Sequence, residues 1–594
     1  MADKKNFNSF ISNPLAQTFL VYISAAWIVL EMTEYFINNY SLTERFRDIL
    51  LIIMIIGLPL AIFLTWYISR DREKEETKDK RLIRILMKRP WFSIPGTIVL
   101  LLLVFTAVRF VYRHEGSDPE MKLGEYSNID LLMRSANTEV SLAVLPFTNF
   151  TGDSEQDWLV SGQHETLINE LSKISQVKPL RIISRRTVNA FKNYNKTMPE
   201  LAKEIDVEYL VEASVMGTAD SVTLQLRLIE VFPQETVVWA QSCSSDFTNI
   251  LKLHSNIAEQ IAGKMNLEMS TEDIEKIPLA RTINPEAYKA YLRGMYLLNQ
   301  LTPGSVEKGL EQFHKAIEID PGEPFAYAGL SIAYQEIAHG PLDPGDALDK
   351  AEAAAMQAIK LDTTMAEIYS AMAEVYLYKL WKFEKAEQYF LKALELNPNL
   401  ALTHYHYSWA LYLWGRMDEA IIEHKLAQKF DPFNPLHTAW LAALYTFDGQ
   451  HEKAVETALE AFEIQEDYVV GYYVLGMAYL EMGKVDEAIE AHKTVAEMIP
   501  LWSWCLGRTY ASIGRVDEAE KILKELEQAP VIPFTAIGRA TLNAALGHYD
   551  EAFKWLDYEP HHSWAAWTAV MPEFSALRDD PRYAEFLKRL NLPG

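Results

Sequence analysis

The sequence predicts a protein of three parts: a membrane segment with three transmembrane helices, a small α/β domain, and an all-α solenoid of repeated helix pairs. Apolar runs crowd the start of the chain, strand-like and helix-like stretches alternate after them, and a small residue then recurs about every 34 positions. The predicted boundaries are a membrane domain 1–113, a linker 114–138, an α/β domain 139–268, a repeat array 284–570 and a C-terminal capping helix 571–594.

The membrane segment is predicted from three apolar runs at residues 15–37, 49–68 and 94–112. Each run is close to the roughly 20 residues that an α-helix needs to cross the hydrocarbon core of a bilayer. No small-residue cleavage site follows the first run, and two further runs come after it. The first run is therefore interpreted as a transmembrane helix rather than a signal peptide.

The predicted orientation follows from the loop "RDREKEETKDKRLIRILMKRP", which begins at Arg70 and holds nine Lys and Arg residues. Because basic loops stay in the cytoplasm, the amino terminus is expected there and the third helix exits on the far side. Everything after Arg113 is then expected in the periplasm of a bacterium, and the chain is expected to be a multi-pass inner-membrane protein.

Three charged residues lie in the predicted membrane helices: Glu31 and Glu34 near the outer end of the first, and Arg109 near the outer end of the third. Charges at membrane depth are costly unless they are paired or reach the interface. We predict an interhelical ion pair at the outer face. Separate snorkelling of each side chain to the interface is the alternative.

The charge of the chain argues against nucleic-acid binding. The net charge is −25, and through Arg113 there are 15 Lys and Arg against 10 Asp and Glu, so the remainder carries −30. A protein that binds phosphate backbones needs a basic surface. The two cysteines, Cys243 and Cys505, lie too far apart in sequence to indicate a disulfide framework or a zinc motif, and they are predicted to be small buried hydrophobic residues.

The α/β domain is predicted from alternating stretches after the linker. A buried strand "SLAVLPF" precedes the amphipathic helix "QDWLVSGQHETLINELSKI", a second strand "LRIISR" and a short helix "MPELAKEID". Three β-rich runs follow, "VEYLVEASVMG", "SVTLQLRLIEV" and "ETVVWAQSCS", before a closing helix "DFTNILKLHSNIAEQIAGKM". This order predicts a compact domain with a mixed sheet.

The stretches "LAVLPFTNFTGDSEQDWLVSGQHETLINELSKI", "IISRRTVNAFK", "ELAKEIDVEYLVEASV" and "LQLRLIEV" resemble the amino-terminal domain of TolB and the related FlgO-like domains, over residues 139 to about 268. The resemblance implies a non-catalytic envelope module. Similar proteins join it to an inner-membrane segment and tetratricopeptide repeats, and some carry a DNA-binding or nucleotide-cyclase domain in front. The cytoplasmic parts expected here are a short tail and one basic loop, so we expect neither of those direct activities.

The polar residues around His164 resemble those of a catalytic site, but the sequence does not predict a catalytic role for them. His164 lies inside an amphipathic helix with no nearby Ser or Cys nucleophile in a strained turn. Asp153 and Asp157 stand where helix starts favour short polar side chains and acids. We therefore predict capping at this loop, no catalytic residue, no enzyme activity and no cofactor.

The solenoid is predicted from a repeated turn and helix. Turns such as "GRMDEA", "GQHEKA", "GKVDEA", "GRVDEA" and "GHYDEA" lead into the second helix of a pair, and about eight pairs fit the array. A period of 34 residues with two amphipathic helices resembles the tetratricopeptide family, which implies binding of peptides or proteins on a concave face. The alanines that open these helices are Ala386, Ala420, Ala454, Ala488, Ala519 and Ala552.

The first helix of each pair is expected to present side chains to a groove at its positions 2, 5, 9 and 12. We predict an apolar groove that binds a helix or an extended segment of a partner. Packing of the same aromatics against a neighbouring repeat, or against a second copy of the chain, is the open alternative. The predicted groove residues are Tyr405, Trp409, Tyr412, Tyr473, Met477, Trp504 and Arg508.

The spacing of two histidine pairs does not predict a metal site. His404 and His406 stand at positions i and i+2 of a helix and so face different ways. His561 and His562 are adjacent and have no placed carboxylate partner.

The sequence as a whole predicts a non-catalytic inner-membrane protein that presents a protein-binding scaffold in the periplasm. The alternative is a transmembrane sensor or regulator that passes an envelope signal to a cytoplasmic partner. A homo-oligomer is compatible with both functions, and nucleic acid is not an expected partner.

Overall fold

A computed structural model describes residues 139–192, 196–217, 221–300, 302–340, 345–558 and 571–592. The three predicted transmembrane helices, the ion pair of Glu31, Glu34 and Arg109, the linker and the pair His561–His562 lie outside these residues. Within the described ranges, no helix combines the length and the apolar character that a membrane crossing requires.

The small α/β domain predicted from the sequence is confirmed. Its strands are β1 (Val140–Val144), β2 (Thr148–Asn149), β3 (Leu180–Ile182), β4 (Tyr209–Gly217), β5 (Ser221–Glu230) and β6 (Thr236–Asp246). Its helices are α1 (Asp157–Ile174), α2 (Arg185–Ala190), α3 (Met198–Glu204), α4 (Ile250–Lys264) and α5 (Thr271–Lys276). The short helices α2 and α5 were not predicted. The stretch predicted as one strand ends as β1 before Pro146, which has no N–H to donate to a ladder.

The sheet is mixed, as predicted, with strand order β3-β1-β4-β5-β6. β1 pairs in parallel with β3 and β4, whereas β4, β5 and β6 are joined antiparallel. Alternate side chains of β1 enter two different cores, because successive residues of a strand point to opposite faces. Leu142 packs in the core under α1 and α4, and Ala143 packs in the core under α2 and α3.

Hydrogen bonds order the loop before His164 and tie its helix to the rest of the α/β domain. The side chain of Asp153 accepts a hydrogen bond from the N–H of Glu155 at 2.9 Å and so caps the 3-10 turn Ser154–Gln156. The predicted capping is therefore found at this turn, whereas α1 itself starts after Gln156, which makes no side-chain cap. His164 lies on the buried face of α1, and its Nε2 is 2.8 Å from the carbonyl oxygen of Val144. Because a carbonyl only accepts, this nitrogen carries the proton and ties α1 to β1.

The described part of the solenoid contains eight helix pairs, and the predicted all-α array is confirmed. We call the first helix of each pair helix A and the second helix B. The pairs are α6 (Pro285–Leu298) with α7 (Pro303–Ile319), α8 (Pro324–Ala338) with α9 (Ala347–Leu361), α10 (Ala366–Tyr378) with α11 (Phe383–Leu396), α12 (Ala401–Leu413) with α13 (Met417–Phe430), α14 (Pro435–Phe447) with α15 (His451–Ile464), α16 (Val469–Glu481) with α17 (Val485–Met498), α18 (Trp504–Ser512) with α19 (Val516–Gln528), and α20 (Pro533–Ala545) with α21 (Tyr549–Leu556).

Small residues explain how the two helices of a pair pack. The six alanines of the repeated motif each occupy the fourth position of a helix B, and all are fully buried. In the sixth pair His492 replaces the aromatic residue typical of the repeat. Its ring lies over Gly476, where an added Cβ would come within 2.3 Å of it. The glycine that begins each of the five turn motifs has φ between +73° and +81°, a conformation that favours glycine.

The chain ends in a short 3-10 helix (Pro572–Leu577) and helix α22 (Pro581–Arg589). α22 pairs with the last repeat, where Arg582 contacts Asp550 at 2.7 Å. The segment also reaches earlier repeats, since the side-chain amide of Asn591 donates to the carbonyl of Trp381 at 3.1 Å. The C-terminal segment therefore does more than cover the last helix pair.

The α/β domain is docked on the solenoid through a buried carboxylate, Asp431. This side chain accepts hydrogen bonds from the hydroxyls of Ser184 and Thr187 on the domain and from the amide of Asn434 on the solenoid. Burial alone would raise the pKa of Asp431, but His437 and the two hydroxyls outweigh that effect and hold the pKa at about 2. The carboxylate is thus charged at neutral pH.

A second contact covers the edge strand of the sheet. The amide side chain of Asn399 accepts from the N–H of Ile182 on β3 at 3.2 Å and donates to Ser175 at 2.7 Å. On α6, Tyr288 and Leu292 join the hydrophobic core of the α/β domain. Two bodies that are separate in sequence therefore share a core and a polar interface.

Buried histidines make the stability of this fold depend on pH. Burial lowers the pKa of His254 and His492 to about 3, against about 6.5 in an unfolded chain. Below pH 6.5 the unfolded chain binds protons that the folded chain does not, so stability is complete above pH 6.5 and falls on acidification. His254→Gln should reduce the slope of unfolding free energy against pH, measured by urea titration from pH 6.5 to 4.5, by an amount that approaches about 1.4 kcal/mol per pH unit at the acidic end of the range.

The exposed His314 provides the control, because His314→Gln should leave the slope unchanged. An identical slope in wild type and His254→Gln would show that folding does not lower the pKa of His254.

Candidate functional site

The solenoid holds an elongated cavity of about 1040 Å³. It runs along the helices A of seven consecutive pairs, from α8 to α20, and is lined mainly by apolar side chains. The α/β domain contributes Arg186 and the C-terminal segment contributes Met571. The apolar lining residues include Ile332, Leu402, Tyr405, Leu436, Trp440, Val470, Tyr473, Leu501, Trp504 and Phe534.

Three of the predicted groove residues, Tyr405, Tyr473 and Trp504, line this cavity. They stand at position 5 of their repeats and pack closely, with at most 6% of each side chain exposed. Leu402, at position 2, is 48% exposed. The solvent-accessible apolar surface of the cavity thus comes mostly from residues next to the predicted aromatics, such as Leu402. The aromatic side chains themselves are buried and support that surface from beneath.

The other four predicted residues lie elsewhere. Trp409 packs edge-on against Trp440, with ring centroids 5.4 Å apart, and Tyr412 stacks on Phe447 at 5.3 Å. Met477 is buried on α16. Trp409 and Tyr412 thus serve the packing between neighbouring repeats, which is the alternative left open by the sequence.

Arg508 contacts the chain's own C-terminal segment. Its guanidinium lies 3.8 Å from the carboxylate of Glu573 and 3.8 Å from that of Glu481. The hydroxyl of Tyr473 donates to the same Glu573 carboxylate at 2.9 Å. Glu573 is buried, so the C-terminal segment occupies this part of the inner face. Helical spacing alone could not predict a contact across 100 residues of sequence.

One end of the cavity is polar. Glu336 and Glu374 line it from α8 and α10, and Arg186 reaches it from the α/β domain. Enclosure raises the pKa of Glu336, and the positive charge of Arg186 reduces that rise. Burial raises the pKa of Glu374 well above its ordinary value, and the charge of Glu336 adds to the effect.

The two histidines of "THYHY" have different surroundings, as the sequence predicts. His404 lies 2.6 Å from Glu423 through Nδ1. His406 instead faces Glu374, and with His339 they form a group whose ligand atoms all lie within 4.8 Å of one another. Sequence reasoning missed this group because its members come from three different repeats. The available signal was their spacing, since His339, Glu374 and His406 are separated by about one repeat period each.

Comparisons with known proteins agree with the two folded parts. Family models described as tetratricopeptide repeat match residues 366–400 and 473–531, so the solenoid is built from tetratricopeptide repeats. A model described as "HilA/YgeH-like transcriptional regulator, second domain" matches residues 138–260. The TolB-like assignment of this domain stays a prediction.

Curated relatives match parts of the chain. A Rhizobium meliloti protein named as a candidate adenylate cyclase 3 is 28% identical over 192 residues, which are 32% of this chain and 32% of that protein. The transcriptional regulator HilA of Salmonella typhimurium is 24% identical over 304 residues, 50% of this chain and 51% of HilA. The chain thus spans about half the length of these relatives or less.

Among solved structures, the tetratricopeptide protein YrrB, described as having an unusual peptide-binding site, covers 32% of this chain and 92% of its own length. The sequence identity is 18% and the TM-score is 0.25.

The contact at Glu573 can be tested by substitution. Glu573→Ala removes the partner of the Tyr473 hydroxyl and of Arg508, so we expect the free energy of unfolding to fall by about 1–3 kcal/mol. The C-terminal segment should also be cleaved faster by trypsin, followed by mass spectrometry. Glu585→Ala on the exposed face of α22 is the control. Equal cleavage rates in the two variants would show that Glu573 does not hold the segment.

Proposed function

We propose that this chain is a non-catalytic adaptor that holds an apolar segment of a partner protein along the inner face of its repeats. The observation that carries the proposal is the cavity of about 1040 Å³, which follows seven successive helices A and has mainly apolar walls. A surface that continues from repeat to repeat suits a partner that is itself a continuous segment, helical or extended.

The energetics favour an apolar partner. Burying one side chain such as Leu or Phe contributes about 1.5–3 kcal/mol. Leu402 is half exposed in the cavity wall, and Val470 and Leu501 are partly exposed there, so a partner would remove their apolar surface from water. Several such contacts in a preformed groove are enough for binding of useful affinity after the entropy cost of association.

Three buried histidines outside the cavity have structural partners, which supports a non-catalytic role for them. His164 bonds to Val144, His254 to Gln163 and His492 to Thr509, and burial lowers the pKa of each. Such side chains lock elements together and do not contact the cavity. The name of the Rhizobium meliloti relative suggests cyclase activity for that protein, but the match spans only 32% of its length.

We further propose that the amino-terminal apolar runs anchor the chain in the bacterial inner membrane and that the repeats work in the periplasm. The three runs of near-spanning length and the loop with nine basic residues support this arrangement. A tether would keep the groove close to the membrane surface, where apolar segments of envelope proteins are available.

A second candidate function is a sensor or regulator that signals across the membrane. The match of residues 138–260 to the second domain of HilA-like transcriptional regulators favours it. This function requires a cytoplasmic partner for the basic loop that begins at Arg70. Crosslinking from that loop in cells distinguishes the sensor function from the adaptor function, because an adaptor requires no cytoplasmic partner.

The groove is tested by a charge placed in its accessible wall. Leu402→Arg should reduce co-purification of the partner from solubilised membranes by about 10-fold or more, because a Leu contact is lost and a charge is buried. Leu459→Arg is the matched control, since Leu459 is also 48% exposed but lies on a helix B outside the cavity. Equal losses in the two variants, or none in either, would exclude the groove as the binding surface.

The location is tested with protease on intact spheroplasts. The repeats should be digested from outside if the third predicted helix exits into the periplasm as proposed. Protection of residues 284–556 until the membrane is lysed would place them in the cytoplasm and contradict the proposed location.

A further inference from the structure

The polar end of the cavity contains a group of three side chains that we call the His–Glu cluster: His339, Glu374 and His406. His339 follows α8, Glu374 is on α10 and His406 is on α12, so three consecutive repeats each supply one member. All three line the cavity, and one ligand atom from each lies within 4.8 Å of the other two. The adaptor function proposed above does not need this arrangement.

The protonation of His339 is set by its neighbour. Its Nδ1 lies 2.9 Å from the backbone carbonyl of Gln335, and because a carbonyl only accepts, Nδ1 carries the proton. The other nitrogen, Nε2, then has a lone pair. This atom is shielded from solvent and has no hydrogen-bond partner within the described part of the chain. Metal-binding histidines typically show this arrangement, with one nitrogen donating to a carbonyl and the other free to ligate.

His406 is held in a similar way by an aromatic hydroxyl. Its Nδ1 lies 3.1 Å from the hydroxyl of Tyr378. When Nδ1 donates to that oxygen, the lone pair of Nε2 faces the carboxylate of Glu374, which lies 3.6 Å away. This distance is too long for a hydrogen bond. It is close to the roughly 3.4 Å that separates two ligand atoms around one tetrahedral zinc ion with bonds of about 2.05 Å.

Glu374 is a buried carboxylate without a cationic partner in the described ranges of the chain, since no Lys or Arg lies within 4 Å of it. The nearby Glu336 adds negative charge at the same end of the cavity. Ionisation of a carboxyl buried in this way is costly unless the charge is paired or coordinates a metal. A divalent cation between Glu374 and the two imidazoles would supply the missing positive charge.

We propose that His339, Glu374 and His406 bind a divalent transition-metal ion of the zinc type. Two imidazole nitrogens and one carboxylate suit zinc rather than magnesium or calcium, which prefer oxygen ligands. Three protein ligands leave a fourth coordination position. Because the cluster lines the cavity, this position is open to water or to a donor atom of a bound partner.

The test uses the full chain, purified in detergent and stripped of metal with EDTA. We expect one Zn²⁺ per chain after desalting, measured by elemental analysis, and a Co²⁺ complex with a tetrahedral absorption spectrum. Glu374→Gln removes a ligand and should weaken Zn²⁺ binding more than about 100-fold, beyond the range typical of outer-shell substitutions. Zn²⁺ affinity is measured by competition with a fluorescent chelator.

Tyr378→Phe provides a milder variant that keeps the buried ring and removes only the hydroxyl at His406 Nδ1. It should weaken Zn²⁺ binding by about 10-fold. Tyr369→Phe is the matched control on the same helix, because the Tyr369 hydroxyl bonds to the carbonyl of Thr363 instead. His314→Asn tests binding at an exposed histidine.

Several results would overturn the proposal: a folded wild-type chain that binds no stoichiometric zinc, unchanged affinity in Glu374→Gln and Tyr378→Phe, or equal losses in Tyr369→Phe or His314→Asn. The test does not depend on partner binding. If zinc binding is lost and partner capture is retained, the adaptor proposal stands without the metal site. If partner capture is lost and zinc binding is retained, the metal site stands without the adaptor proposal.

Discussion

The close packing of helices A and B within each repeat is the constraint on which the rest of the structure depends. It is possible because the fourth residue of most helices B is a fully buried alanine, and because a glycine such as Gly476 leaves room for a ring from the partner helix. Close packing fixes the angle between repeats, and the angle places one face of every helix A on a common surface. The apolar cavity is a consequence of that surface.

Two further contacts determine how much of this surface is accessible. The α/β domain docks through the charged carboxylate of Asp431 and brings Arg186 to one end of the cavity. The C-terminal segment docks through Glu573 and covers the region around Arg508. The accessible part of the groove therefore lies between two bodies of the same chain. The α/β domain and the C-terminal segment both limit which partner segments can fit there. The polar end of the cavity carries the His–Glu cluster.

The sequence predicted the elements better than the site. Hydrophobic period and the turn glycines identified the solenoid, since each repeat is a local pattern that recurs. The mixed sheet followed from the order of strands. The groove was predicted only in part, because helical position cannot distinguish a side chain that faces the cavity, such as Tyr405, from one that packs on the next repeat, such as Trp409. Contacts of Glu573 and of His339 depend on tertiary structure alone.

We propose above that the inner face of the repeats is the surface that binds the partner. The most direct measurement is a photo-crosslinking scan in cells, with a photoreactive amino acid placed singly at Leu402, Val470 and Leu501 in the cavity and at Leu459 and Val516 on helices B. If the inner face is the binding surface, one partner protein should crosslink from the cavity positions and not from the helix B positions. Crosslinks of that partner confined to Leu459 and Val516 would contradict it.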